Sequence, residues 1–443
     1  MSILHVIADH FGLTNPGDLS WLIAGYSLTV GTFILIGGRL GDLFGHKKML
    51  LLGFLWFALW TLVAGLSVYS NHVLFVFARV FQGMGPAVML PCGLAMLGIT
   101  YAPGPRKDMA FAIFGATAPT GSIIGSAMAG VFNLAWWPWV FFAQAIALVV
   151  LAGVGYFVIP DPPVQPKQKE SLGQKIHDLD LLGATVGVAS LVLFNFAWNQ
   201  AGVAGWQEPY VYVTLILGIL LFPPFIYIEK RVARSPLIPF DALTSDVAFV
   251  LACVACGWAS FGIFIYYIWQ FFEVLRGANP LLGSAWLSPL VPSGIAAALV
   301  TGLLIGRLGP AITMCIALLA YLVGNILIAT APVDQTYWAQ SFVCCLVIPW
   351  GMDMSFPAAT LILSNAVAKE HQGVGASLVN TVVNYSISIG LGFAGTVEGH
   401  VNHGGKTPQD ILLGYRGALY MSIGLAGLGL GVSTLFAIKH HWR

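Results

Sequence analysis

The chain has 443 residues, of which 58% are hydrophobic and only 8% charged, with a formal net charge of +1. A soluble protein of this length carries roughly 25% charged residues. A chain so apolar needs lipid as its solvent, which excludes the soluble globular class, and a charge this close to zero offers nothing to nucleic acid.

A helix needs about 20 apolar residues to cross about 30 Å of hydrocarbon. Such runs lie at 21–40, 48–68, 73–99, 108–131, 138–158, 181–199, 210–228, 246–272, 283–305, 309–329, 338–363, 373–396 and 416–438. The thirteen runs are continuous rather than alternating, so the expected class is an all-α polytopic membrane protein. Glycine falls inside the runs, as expected where membrane helices approach closely. The six cysteines also lie in apolar runs. The Cys253-x-x-Cys256 spacing has no partner pair, so packing is the simpler reading than a metal or redox site.

Topology follows from the basic residues. Fifteen of them, from Arg39, Lys47 and Lys48 to Lys439 and Arg443, fall at alternate connections on one side. Only Arg276, Lys406 and Arg416 fall on the other, and Arg79 is inside a run. The loop at 41–48 and the C-terminus are therefore expected in the cytoplasm, and segment 1–20 outside. Residues 2–12 read like the outer end of a helix whose start is missing, which would make fourteen spans in the complete pattern. A transcript start firmly mapped at Met1 would oppose that reading.

The expected organisation is an N-terminal helical bundle at 1–158 and a cytoplasmic linker at 159–180, rich in proline and charge. Two extra membrane helices follow at 181–228. A second linker spans 229–245, and a C-terminal six-helix bundle spans 246–443. Gly306-Arg307-Leu308-Gly309-Pro310 repeats Gly38-Arg39-Leu40-Gly41-Asp42 in the equivalent short turn. Paired halves of six helices are the layout of a secondary transporter with its site between them.

Four features carry mechanism. In the loop from Gly38 to Lys48, Gly38, Gly41 and Gly45 permit a tight turn, and Asp42 is expected near the start of the next helix, at the positive end of its dipole. His46, Lys47 and Lys48 suit an anionic cytoplasmic surface. The alternative is a charge cluster that only sets orientation. Arg79, with Gln82 one turn on, is a charge inside a span, which marks a functional site facing a cavity; snorkelling is its alternative. Gly121, Gly125 and Ala129 form a small-residue stripe after Gly115 and Pro119, expected to press against a neighbour, with Pro119 bending the helix. Asp353 reads as the one acid well inside a run. Burial disfavours its charge, so it is a candidate proton carrier, or else a structural acid paired to a donor.

Tyr266, Tyr267, Trp269, Gln270, Trp350, Asn380, Asn384 and Tyr385 could line a polyspecific cavity with Gln82, although each alone also suits packing. His400-x-x-His403 has metal spacing without further ligands, so no metal site is expected. No nucleophilic or phosphate-cradling constellation occurs, and an enzyme is not expected.

Together these motifs resemble the major facilitator superfamily. Its G-x-L-a-D-r-x-G-r-k signature resembles Gly38 through Lys47, and R-x-x-q-G-x-g resembles Arg79 through Gly85. The antiporter signature is matched loosely by Gly115 through Gly125. The two helices between the halves resemble the fourteen-helix drug:proton antiporter branch. Glu273-Val-Leu-Arg-Gly and Gly351 through Ala359 resemble fungal transporters of the aminotriazole-resistance type. The resemblance implies a major facilitator fold of two six-helix bundles plus two intervening helices.

It also implies a gate at Gly38, Asp42, Gly45 and Lys47, proton coupling at Arg79 with Asp353 as partner candidate, and an antiporter face at Gly115, Pro119, Gly121 and Gly125. Leu43, His46 and Ala118 depart from the patterns. The function implied is proton-coupled export of drugs, toxins or small metabolites by a monomer in the bilayer, powered by the proton gradient with no bound cofactor. Import of a small polar solute such as ammonium or borate, and a transport-inactive truncated paralogue or sensor, are the rival expectations. The plasma membrane is the expected location, with the vacuolar membrane as alternative.

Overall fold

The computed structural model describes residues 3–13, 16–101, 105–160, 180–233, 236–237, 244–366 and 372–441. The expected linker at 159–180 lies mostly outside the described residues, and about half of the one at 229–245 does.

Helix α1 (Leu4–Phe11) ends where Gly12 turns left-handed, at φ 67°. Then come α2 (Pro16–Phe44), α3 (His46–Leu66), α4 (His72–Thr100), α5 (Pro105–Asn133) and α6 (Trp139–Val158). The two intervening helices are α7 (Leu181–Ala204) and α8 (Pro209–Tyr227). They are followed by α9 (Ser245–Gln270), α10 (Pro280–Leu287), α11 (Leu290–Ala329), α12 (Gln340–Ala366), α13 (Gln372–Val401) and α14 (Pro408–His441). No strand occurs among the described residues.

Polar residues at the run edges start the helices. The Asn71 side chain accepts from Leu74 N at 2.9 Å to cap α4, and Asn279 does the same for α10 from Leu282 N at 2.9 Å. Asp180 caps α7 and Thr244 caps α9, each satisfying an amide that has no partner within its helix.

Twelve described stretches are long and apolar enough to cross a membrane. Two of them, Pro280–Gly302 and Arg307–Ala329, are joined through the long α11. Helix α5 occupies the remaining run, at 108–131, but many of its side chains fall outside the described set. All thirteen runs thus fall on helices, twelve of the described stretches are candidate spans, and the chain is an integral multi-pass membrane protein.

Helix α2 packs on α4 and α13, α3 on α4 and α6, and α9 on α13 and α14. The outer helices turn bare aliphatic side chains outward, as lipid permits: Leu151 and Val154 on α6, Leu217 and Leu220 on α8. Helix α7 lies against both α2 and α13. Ser388 Oγ donates to Asn195 Oδ1 at 2.9 Å and to Ala24 O at 3.1 Å, and Asn199 Nδ2 reaches Ser388 O at 3.3 Å. The extra helix is therefore bonded into the α2–α13 contact.

Two glycine turns differ from the repeat read in the sequence. That repeat sets Gly309 opposite Gly41. The backbone breaks at Gly309 (φ 77°) in α11, but α2 continues through Gly41 and Asp42, and the break comes at Gly45 (φ 99°). Pro310 explains the earlier stop, because it cannot donate to the preceding turn.

Candidate functional site

The charged loop closes one end of the α2–α3 hairpin. Contrary to the expected helix start, Asp42 lies in the last turn of α2, where it meets His46 of α3, with Oδ1 to Nε2 at 3.5 Å. The Asp42 side chain is 53% exposed, so this pair contributes little to stability. A dipole contact with α3 is not its setting, because Gly45 intervenes and is the N-cap.

Gly38 and Gly41 serve close approach. A Cβ at Gly41 would stand 2.6 Å from His46 Nδ1 and 2.7 Å from Cys92 Sγ, and one at Gly38 would stand 3.2 Å from Ser377 Oγ of α13. Lys47 Nζ sits 5.7 Å from the centre of the Tyr156 ring. The loop residues thus stand against α4, α6 and α13.

Arg79 is held inside the bundle. Its Nε donates to Leu22 O at 3.2 Å, its Nη1 donates to Gln82 Oε1, and its guanidinium lies 4.7 Å from the Tyr26 ring centre. Gln82 is fully buried and passes the chain on, donating from Nε2 to Thr61 Oγ1 at 2.6 Å. The spacing of three places Arg79 and Gln82 on one face of α4, and the fold adds Thr61 from α3 and Leu22 from α2. No carboxylate lies within ion-pair distance of Arg79 among the described residues.

Asp353 sits in α12 with Oδ2 buried and without a hydrogen-bond partner. Pro357, four residues on, has no N–H to give to the Asp353 carbonyl, and Thr301 Oγ1 of α11, which donates to Ala297 O at 2.7 Å, also reaches that oxygen at 3.3 Å. Arg79 lies in α4 and Asp353 in α12, and no ion pair joins the two.

The small-residue stripe of α5 does not press against a neighbour along its length. A Cβ at Gly121 or Gly125 would meet nothing within 4 Å, whereas Ala129 is buried and a Cβ at Gly130 would lie 2.7 Å from Leu281 Cδ2 of α10. The packing lies at one end of the helix, where α5 meets α10. The side chains of Gly115 and Pro119 fall outside the described residues.

The candidate cavity residues separate into groups. Gln82 belongs to the Arg79 chain. Gln270 accepts from His5, and Tyr266 beside it is buried. Trp269 packs against Gly283, where an added Cβ would be 2.7 Å from Cζ3. Asn384 donates to Asn380 O at 3.0 Å within α13, Tyr385 donates to Leu191 O of α7 at 3.0 Å, and Trp350 is half-buried in α12. His400 and His403 bond to different partners, Thr396 O and Asp410.

Sequence reading also passed over two acids. The runs end at 272 and 396, which leaves Glu273 and Glu398 at their margins, yet helical structure carries on past both. Glu273 falls in the π-helical turn Phe271–Leu275 that prolongs α9, and Glu398 is buried in the last turn of α13. The available signal was an acid within three residues of a run's end, next to Tyr266, Tyr267 and Gln270.

A polytopic all-helical bundle with glycine turns and a buried arginine on α4 is the architecture of a membrane transporter. The sequence profile of the Major Facilitator Superfamily matches residues 1–391, and the chain belongs to that family.

Among curated relatives, a low affinity ammonium transporter of Saccharomyces cerevisiae is 57% identical over 98% of this chain and 84% of its own length. The efflux pump terG of Aspergillus terreus is 45% identical over 99% of this chain and 83% of its length. The aminotriazole resistance protein of Saccharomyces cerevisiae is 38% identical over 99% of this chain and 80% of its length. A solved peptide transporter, crystallised with sulfate, superposes with a TM-score of 0.65 at 15% identity over 98% of this chain and 91% of its own. At that identity it shows the shared fold alone. The resemblance to fungal transporters of the drug-efflux type is thus confirmed.

Proposed function

We propose that the chain is a proton-coupled secondary active transporter that exports drugs, toxins or small metabolites by alternating access. The observation that carries this reading is Arg79: a charge in a membrane helix, held by a carbonyl, an amide and an aromatic ring without a neutralising acid among the described residues. Such a group is costly unless it serves a mobile charge or substrate. The efflux-pump and aminotriazole-resistance relatives support the direction of export. Asp353, with its unpartnered Oδ2, is the acid proposed to exchange protons in concert with Arg79. The 1–158 and 246–443 bundles are the proposed moving halves, with the Gly38–Lys48 loop and the C-terminus in the cytoplasm of a plasma-membrane protein.

Proteoliposome transport under an imposed pH gradient tests the reading. Accumulation that ignores the gradient rejects proton coupling. The ammonium-transporter relative favours a second reading, movement of a small polar cation, for which methylammonium is the probe. Uptake into cells expressing the chain supports this second reading, and extrusion of toxicants supports the first.

A further inference from the structure

The two acids at the run margins share one polar cluster, where α1 meets α9. Glu398 of α13 is 4% exposed, and its Oε2 accepts from Tyr267 Oη at 2.6 Å. The Glu273 side chain is 8% exposed, and its Oε1 is buried without a hydrogen-bond partner. His5 of α1 bonds through Nε2 to Gln270 Oε1, and the same nitrogen lies 3.9 Å from Glu273 Oε2.

Tyr415 of α14 is within electrostatic reach of both glutamates, and its ring centre is 5.5 Å from that of Tyr267. Tyr266 meets Tyr267 edge-on at 4.9 Å. Of the other charged groups at this end, the terminal amino group acts on Glu273 and Asp334 acts on Arg276. Asp9 is exposed and acts on His5. Arg276 donates to Pro332 O at 3.1 Å and Arg416 to Ala331 O at 3.4 Å.

A carboxylate in such a place is retained by a cation, by a full set of donors, or by a proton. Among the described residues no lysine or arginine stands within ion-pair distance of either glutamate. His5 can supply charge to Glu273 only when it is itself protonated. Glu398 has one phenol donor, and Glu273 leaves one oxygen with none. A bound proton satisfies these carboxyls and needs no cavity.

We propose that Glu273 and Glu398 form a proton-binding pair, separate from Arg79 and Asp353, and that His5 transmits the state of Glu273 to α1. The proton binds a carboxylate oxygen and leaves from it, with no other bond made or broken. With Glu273 neutral, His5 keeps its bond to Gln270. With Glu273 charged, the neutral His5 ring turns its Nε2–H from Gln270 Oε1 towards the carboxylate oxygen 3.9 Å away, and the contact between α1 and α9 changes. Tyr267 is a positioning residue for Glu398. The pair deepens the proton-coupled reading and rests on it for its use in transport, but its proton binding can be read without transport.

The test is an infrared pH titration of the purified full chain in lipid nanodiscs, comparing wild type with Glu273→Gln, Glu398→Gln and Asp353→Asn. The expected result is a protonated-carboxyl carbonyl band that forms on acidification, loses a component in each glutamate variant, and keeps that component in Asp353→Asn. Full wild-type amplitude in both glutamate variants overturns the proposal. Should a glutamate variant fail to fold, the same band is read in wild-type protein labelled with carbon-13 at the glutamate carboxyl. A shifted component supports the pair, and an unshifted band overturns it. Gradient-driven transport with unchanged bands refutes the pair alone; altered bands without gradient-driven transport refute the transport reading alone.

Discussion

Thr301 shares its hydroxyl between Ala297 O at 2.7 Å and the Asp353 carbonyl at 3.3 Å, an oxygen that Pro357 leaves without its helical partner. The bond ties α11 to α12 beside the one acid that sequence reading placed deep in a span. In a Pro357→Ala background the amide returns to the ladder, and the threonine is left with its bond to Ala297 O alone. Thr301→Val is expected to cost about 0.5–1.5 kcal/mol in the wild-type background and less than that in Pro357→Ala, where only the Ala297 bond is lost. Unfolding in mixed micelles measures both. Equal costs in the two backgrounds would show that the threonine acts elsewhere.

Asp353→Asn keeps the size and removes the charge of an unpartnered carboxylate. It is expected to impair gradient-driven transport while leaving membrane insertion and the stability just described intact. Wild-type transport in this variant rejects a proton-carrying role for Asp353.

Arg79 combines three contacts that a lysine cannot reproduce: a bond from Nε, a bond from Nη1 and a planar group against Tyr26. Hydrogen bonds to charged groups contribute about 1.5–3 kcal/mol. Arg79→Lys is therefore expected to slow transport roughly 10- to 100-fold, at about 1.4 kcal/mol per tenfold, with normal insertion. Gln82→Ala should fall in the same direction by less, since it leaves the Leu22 and Tyr26 contacts. Initial rates at equal surface expression decide this, and an Arg79→Lys variant as fast as wild type would count against the geometry.

Glycines in the same chain are expected to differ sharply. A Cβ at Gly31 would meet Tyr385 N of α13 at 2.6 Å, a backbone atom that cannot step aside. Gly31→Ala should destabilise by about 1–3 kcal/mol through overpacking. Gly45→Ala should cost about 1–3 kcal/mol through its φ of 99° although nothing lies near it. Gly121→Ala should fall within about 0.5 kcal/mol of wild type. Thermal unfolding ranks all three, and a large loss at Gly121 would show that α5 is packed after all.

Burial lowers the His5 pKa below its ordinary value, against the smaller opposing effects of Gln270 and Asp9. The neutral ring is the form the fold retains. Its contribution to stability is therefore present above the unfolded histidine range of about 6.5 and is lost as pH falls through that range towards the folded value. The difference in melting temperature between wild type and His5→Gln should shrink or change sign from pH 8 to pH 5. A difference that stays constant across that interval would show that His5 does not titrate in the bundle.

Much of the fold was legible because lipid imposes a simple rule. A span must be long, apolar and helical, so thirteen runs could be counted from composition and length. Arg79 stood out for the same reason, being a charge where charge is costly, and Gln82 followed from a spacing of three. The family resemblance singled out the Gly38–Lys48 loop, where Gly38 and Gly41 do stand at close contacts and Gly45 turns the chain instead.

What remained hidden depends on which helix faces meet. The glycine stripe of α5 looks alike in sequence at Gly121 and Gly130, yet only the second is covered, because α10 crosses there. Pro310 moves one turn glycine four places relative to its repeat. The bonding of α7 to α2 and α13 through Asn195 and Ser388 has no periodic signature. Glu273 and Glu398 lie far apart in the chain, at run edges where a hydropathy window is blind. Sequence alone determined that this chain crosses a membrane many times and where its costly charge lies, because the bilayer acts on each residue separately. Only tertiary structure decided that two marginal acids, a histidine and three tyrosines share one buried corner, because their burial is made by one another.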